Sequence, residues 1–178
     1  HYDDLGAVRR WYRDPELARR TRYSLRPMSD EDIDRFFHTR LMSPEHVGYA
    51  ITVRESGRLI GSTTFSNLDP DNGSTLFHIS IGEPAAWGSG YGTEATELML
   101  WLAFARIGLH RVALSVFAFN ERAIRAYEKA GFTSKDDRLP DFFKEQPLAP
   151  HNTVFQVSDE ELDRLLDPAD LARGGIKH

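Results

Sequence analysis

Residues 88–92 read Gly88-Ser89-Gly90-Tyr91-Gly92, flanked by Trp87 and Thr93. A strand predicted over Thr75 to Ile81 runs towards this turn, and a helix predicted over Thr93 to Ile107 leaves it. Glycines allow positive φ and let a ligand approach the backbone closely. The N–H groups at a helix start point outward and carry partial positive charge. The chemistry these features suit is anion binding, with a pyrophosphate as the natural guest. A plain glycine loop is the competing reading, and three alternate glycines between strand and helix weigh against it. Two familiar phosphate motifs do not fit. The dinucleotide fingerprint needs G-x-G-x-x-G and an acid closing the next strand. Here the spacing is G-x-G-x-G, and that strand ends Phe117-Ala118-Phe119-Asn120. No Gly-Lys-Ser/Thr follows, so a P-loop is excluded as well.

A second group lies in Asn120-Glu-Arg-Ala123-Ile-Arg-Ala-Tyr127-Glu-Lys-Ala-Gly131. Asn120 suits a helix N-cap, and Gly131 suits the left-handed residue after the helix end. Asn120, Ala123 and Tyr127 then share one face. Asn120 and Tyr127 stand about 10 Å apart along the axis. The small Ala123 between them leaves room for a ligand chain. Taken alone, these residues read more readily as a cap and a core tyrosine.

The elements that must position both groups follow from pattern. Asp3 to Arg20 reads as helical with a break or restart at Asp14-Pro15, and Ser29 caps a second helix through Phe36-Phe37. Three strands joined by short turns follow: Tyr49 to Arg54, Leu59 to Asn67 and Thr75 to Ile81, an antiparallel meander. The long helix is apolar nearly all round, with Ala95, Leu98, Met99 and Leu102 on one core face, which also points to a homodimer. Arg111 to Phe117 and Thr153 to Val157 read as strands, and Ser158 to Leu166 as a capped helix. This order predicts an α/β (α+β) fold with a mixed, mostly antiparallel sheet flanked by helices.

The 178 residues suit a single domain. Its parts are N-terminal helices over 1–47, a core over 48–132 and a variable part over 133–178. With 22 Lys+Arg against 27 Asp+Glu, the formal charge is −5, which disfavours nucleic acid and anionic membranes as partners. It tilts slightly towards a cationic acceptor. There is no cysteine, so disulfides, thiolate metal sites and a cysteine nucleophile are excluded. That composition fits a cytoplasmic location. No apolar run reaches the ~18 residues a membrane helix needs.

The continuous run from Tyr49 to Phe132, with IGEPAAWGSGYGTEA and GLHRVALSVFAFNERAIRAYEKAGF in order, resembles the GNAT superfamily of N-acetyltransferases. More narrowly, it is similar to the branch that includes ribosomal-protein N-terminal acetyltransferases. The resemblance implies that Trp87, Gly88, Ser89, Gly90, Tyr91, Gly92 and Thr93 hold the pyrophosphate of acetyl-CoA through backbone N–H groups. It implies that backbone groups of Ile79, Ser80 and Ile81 bind the pantetheine arm like an added strand. Asn120 and Ala123 would line the path of that arm, and Tyr127 would stand by the thioester sulfur as general acid. An N–H near Ile81 would polarise the carbonyl oxygen. The acceptor would be a primary amine on a small molecule, an antibiotic or a protein N-terminus. It must lose a proton before attack, with Glu83 the first choice of base and His78 the second. No metal is implied, and without cysteine the transfer would be direct.

Three departures from the family accompany the match. The opening strand of the family is expected to be missing or disordered, since His1-Tyr2-Asp3-Asp4 runs almost straight into helix and the strand-like Leu25-Arg26-Pro27 lies too close to the meander to leave room for two helices. Residues 133–178 carry no family signature. Ser89 stands where relatives often have a basic residue. The alternatives to an enzyme are a non-catalytic acyl-CoA sensor and a nucleotide-binding fold unrelated to CoA.

Overall fold

The computed structural model describes residues 4–21, 26–134 and 152–160. The first helices form where the pattern places them. Leu5–Arg13 (α1) ends at Asp14, and Pro15–Thr21 (α2) restarts with proline in its first turn. The Asp14 carboxylate accepts the Glu16 N–H at 2.7 Å, satisfying one of the donors a helix start leaves unpaired. Asp30–Phe36 (α3) is capped by Ser29, whose Oγ accepts the Asp32 N–H at 3.2 Å. It widens into a π-turn over Phe37–Leu41. Val8, Trp11, Tyr12, Leu17, Ile33 and Phe37 pack into a core of their own. Arg9 clamps α1 to α3 by two bonds to Asp34, at 2.8 and 2.5 Å. That pairing holds the Asp34 carboxyl below the usual carboxylate range.

The sheet has six strands in the order β1-β2-β3-β4-β6-β5. They are Val47–Thr52 (β1), Leu59–Asp69 (β2), Ser74–Ile81 (β3), Arg111–Phe117 (β4), Thr133–Ser134 (β5) and Asn152–Ser158 (β6). β1 starts and stops two residues earlier than its predicted span. The ladder is irregular at Ile51/Thr52, and Val53 already belongs to the turn, where its N–H bonds Arg58 O at 2.9 Å. Every neighbouring pair is antiparallel except β3 with β4. Among the described residues no strand precedes α1. The predicted helix over Ser158 to Leu166 falls mostly outside the described residues.

Two helices cover the other face. Tyr91–Trp101 (α4) continues as a π-helical turn over Leu102–Ile107 and stops at Gly108, whose φ is 81°. Glu121–Lys129 (α5) is capped by Asn120, whose Oδ1 accepts the Ala123 N–H at 3.4 Å. Phe65, Phe77, Leu100, Leu114, Phe132 and Phe155 form the main core beneath them. One expected core residue is corrected: Leu98 is 44% exposed. The buried side of α4 is instead carried by Ala95, Thr96, Met99 and Leu100, which turns Leu98 outward.

Two facts position the site. β4 pairs with β3 only from Ser74↔Arg111 to Leu76↔Ala113, yet stays paired with β6 as far as Phe117↔Asn152. The sheet therefore splits into a wedge beyond Leu76 and Ala113. Gly82, just past β3, lets Trp11 of α1 pack against the strand end: a Cβ there would stand 2.1 Å from the indole ring. The N-terminal helices thereby roof one side of the wedge.

Candidate active site

A cavity of about 1140 Å³ fills the wedge. It is walled by β3 and β4, by the glycine turn, by α5 and by the N-terminal helices. It draws on both sheet faces, since Ile79 and Ile81 line it as well as His78 and Ser80, and successive strand residues point to opposite sides.

At one end lies the glycine turn. Gly88 and Gly90 have φ of 79° and 89°, and a Cβ on either would meet nothing within 4 Å. Glycine is needed there for the backbone angle, and the space beside it is open. The first helical bond of α4 runs from Glu94 N–H to Gly90 O at 3.0 Å. The N–H groups of Tyr91, Gly92 and Thr93 precede it and project from the helix end. Trp87 is braced beside them: its Nε1 donates to Ile81 O at 2.7 Å, and the Arg122 guanidinium lies 4.2 Å from its ring centroid, with Arg20 at 5.7 Å. Ser89 is exposed and is not part of the cavity wall.

The middle of the wedge is a free strand edge. Gly82 N–H bonds Ile60 O of β2 at 2.9 Å. In an antiparallel ladder alternate residues turn their N–H and C=O to opposite sides. Ile79 and Ile81 therefore face the wedge with their backbone groups, while Ser80 faces β2 and pairs with Ser62. Ser80 contributes its side chain instead, a buried Oγ with no hydrogen-bond partner among the described residues. Ala123 lines the opposite wall. Asn120 does too, but its amide is engaged, donating to Arg20 O at 3.3 Å. Tyr127 is buried against Phe132, with ring centroids 5.9 Å apart. Burial pushes its phenol above the usual tyrosine value, so the proton stays on at any pH near neutrality.

Past the strand edge the floor turns polar. His78 stands opposite Thr64 in the β2–β3 register, and its Nε2 meets Ser66 Oγ at 2.8 Å. Ser62, Thr64 and Ser66 recur at every second position of β2 and all line the cavity. The His78 ring is reached by solvent through the cavity while protein encloses it. That enclosure, with the charges of Arg40 and His46, lowers its pKa from 6.5 to about 4. The imidazole is neutral at physiological pH. Glu83, the first choice of base, is not on the cavity wall. It sits at the start of the 3₁₀ turn Pro84–Ala86, with its N–H bonded to Ile60 O at 3.2 Å. Of the two bases considered, only His78 lines the cavity.

Sequence reasoning missed the hydroxyl row of β2 and the two basic residues Arg40 and His46. The row had a signal, Ser62-x-Thr64-x-Ser66, hydroxyl side chains at strand period on one side of a strand. Arg40 and His46 had none, because only the packing of the π-turn onto the sheet brings them to the cavity. Among the described residues, no group of three His, Asp or Glu side chains could hold a metal ion.

A family model described as an acetyltransferase (GNAT) domain matches residues 1–133. The chain belongs to the GNAT acetyltransferase family. It is 24% identical over 147 residues, covering 80% of each chain, to the uncharacterized N-acetyltransferase p20 of Bacillus licheniformis. Its fold is that of the GNAT-family acetyltransferase from Bacillus anthracis, with TM-score 0.72, 17% identity, and 90% and 92% of the two chains covered. Spermidine N-acetyltransferase from Vibrio cholerae, solved with CoA and spermine, gives TM-score 0.70 at 15% identity, covering 91% and 94%. The mixed α/β sheet and an acetyl-CoA-dependent N-acetyltransferase activity follow from this membership. The turn, the free strand edge and the lining of the wedge suit CoA: backbone donors for phosphate, an unpaired edge for an amide-bearing arm, and an open channel between them. No described helix is long and apolar enough to cross a membrane.

Proposed function

We propose that this GNAT enzyme transfers acetyl from acetyl-CoA directly to a primary amine presented on the polar floor of the wedge. The observation that carries the reading is the continuity of the cavity, from the glycine turn past the free edge of β3 to His78. When bound, acetyl-CoA supplies an activated acetyl thioester. The chain's residues do the rest. N–H groups of the turn and of Tyr91, Gly92 and Thr93 hold pyrophosphate. Backbone groups of Ile79 and Ile81 hold the amide-bearing arm, and the N–H of Ile81 or Ile79 steadies the carbonyl oxygen as charge develops on it. Asn120 and Ala123 flank that arm. Tyr127 donates a hydrogen bond, and finally its proton, to the departing sulfur.

The attacking amine must be neutral. A lysine-type amine has a pKa of about 10.4 and an α-amine about 7.7–8.0. Arg20, Arg40 and Arg122 line the cavity, which disfavours a bound ammonium and so lowers the acceptor's pKa. His78, neutral and tied to Ser66, receives the amine proton or passes it to water. The nitrogen–carbon bond forms, the carbon–sulfur bond breaks, CoA leaves as the thiol, and one proton is released for each ammonium consumed.

A small amine, an amine-bearing antibiotic and a protein N-terminus, as the ribosomal-protein branch would take, all present the required nitrogen. A silent acyl-CoA sensor would need a blocked acceptor side, and the open channel past His78 speaks against it. The test is release of free CoA with an amine panel. Turnover with at least one amine is expected, and none with a folded, acetyl-CoA-binding protein would contradict the reading.

A further inference from the structure

The acceptor end of the cavity has a charge pattern that narrows the substrate. Arg20, Arg40, Arg122, Arg125 and Lys129 line the cavity with His46 and His78, and among the described residues on its wall there is no Asp or Glu. Four of the five cations accompany the CoA side: Arg122, Arg125 and Lys129 lie on α5, and Arg20 stands beside Trp87. Arg40 lies apart from them, at the end of the π-turn over the polar floor. Its guanidinium has no ion-pair partner among the described residues. Its carbonyl fixes His46, whose Nδ1–H donates to Arg40 O at 2.9 Å and leaves Nε2 free. Asp34, the acid of α3 nearest the π-turn in sequence, is already held by Arg9.

We propose that the acceptor is an amine that also carries a carboxylate, and that Arg40, with His46 beside it, selects it. This rests on the reading of the wedge as an amine acetyltransferase site. A guanidinium presents a planar fork that matches a carboxylate, and an unpaired one beside a partly desolvated floor gains most from such a partner. A polycation would meet repulsion from Arg40 with no carboxylate on the described wall to offset it. Burial, and after it the charge of Arg40, depresses protonation of His78. A carboxylate bound to Arg40 would offset the second of these.

The test compares glutamic acid α-amide with glutamine α-amide, whose amines are alike and whose side chains differ in charge, with spermidine as a third substrate. The wild-type enzyme is expected to favour the acid over the amide in kcat/KM by about tenfold or more, the scale of one charge-assisted hydrogen bond. Arg40→Gln should erase the preference, Arg40→Glu should invert it, and Arg40→Lys should restore part of it. A merely structural role for Arg40 would lower all substrates alike. A wild-type preference for the amide or spermidine, or an acid preference that survives Arg40→Glu, would overturn the inference. If no amine is acetylated, the acetyltransferase reading fails and the inference is decided by binding to the CoA-loaded protein. Tighter binding of the acid that is lost in Arg40→Glu supports it, and equal binding of acid and amide refutes it.

Discussion

At the scale of single residues, Tyr127 and His78 line one cavity and are proposed for different roles. Tyr127 is buried against the main core at the cavity wall and is protonated in the resting protein. In the proposed mechanism it donates to the leaving sulfur, so Tyr127→Phe should lower kcat by roughly 10²-fold. The Kd for acetyl-CoA should stay nearly unchanged by calorimetry. A collapse of binding would make Tyr127 a packing residue instead. His78 titrates at about 4 in the folded chain against 6.5 for an unperturbed imidazole. Between those values the unfolded chain binds more protons, so stability rises with pH across that window and is fully present above 6.5. The contribution is lost as pH falls through about 4. His78→Gln should flatten the pH dependence of the urea midpoint across that interval. An unchanged slope would place the ring in a more solvated setting than the wedge provides.

At the scale of elements, two glycines separate ligand binding from packing. Gly90 and Gly57 both have positive φ, 89° in the glycine turn and 65° in the β1–β2 hairpin. Alanine at either position should cost about 1–2 kcal/mol in stability. Only Gly90→Ala should also weaken acetyl-CoA binding, which parallel calorimetry on the two variants would show. Gly82→Ala acts through Trp11, whose ring a new Cβ would overlap. It should destabilise the fold by about 1–3 kcal/mol, the range for overpacking. A Trp11→Leu partner substitution should recover part of that loss in a double-mutant cycle. The elements themselves were largely legible in the chain. The Asp14-Pro15 break, the Ser29 and Asn120 caps and the Gly131 stop all act locally and lie where their residue types imply. The wedge was not legible, because it depends on where β4 parts from β3, and pairing length between parallel strands leaves no local mark. For the same reason Glu83 looked better placed than it is. Lying close in sequence after β3 does not decide which way a carboxylate turns. Leu98 failed as a core residue because an apolar helix surface exceeds the arc that the sheet can cover.

At the scale of the whole molecule, net charge and site charge have opposite signs. The chain carries −5 overall, while the described residues lining the wedge cavity include arginine and lysine but no acid. On the proposed reading the local pattern, and not the overall balance, selects the acceptor. The cations near Trp87 suit the phosphates of CoA, so acetyl-CoA affinity should fall as salt rises. Arg122→Gln should shallow that dependence. A slope identical to the wild type would remove Arg122 from phosphate binding.

The most direct measurement uses acetyl-CoA labelled in the acetyl group, incubated with the protein and a panel of acidic, neutral and polycationic amines, with products resolved by mass. The expected result is labelled acetyl on the amine nitrogen, one free CoA per product, and the carboxylate-bearing amines acetylated fastest. Free CoA with no labelled amine, or no CoA release from a protein that binds acetyl-CoA, would contradict the account.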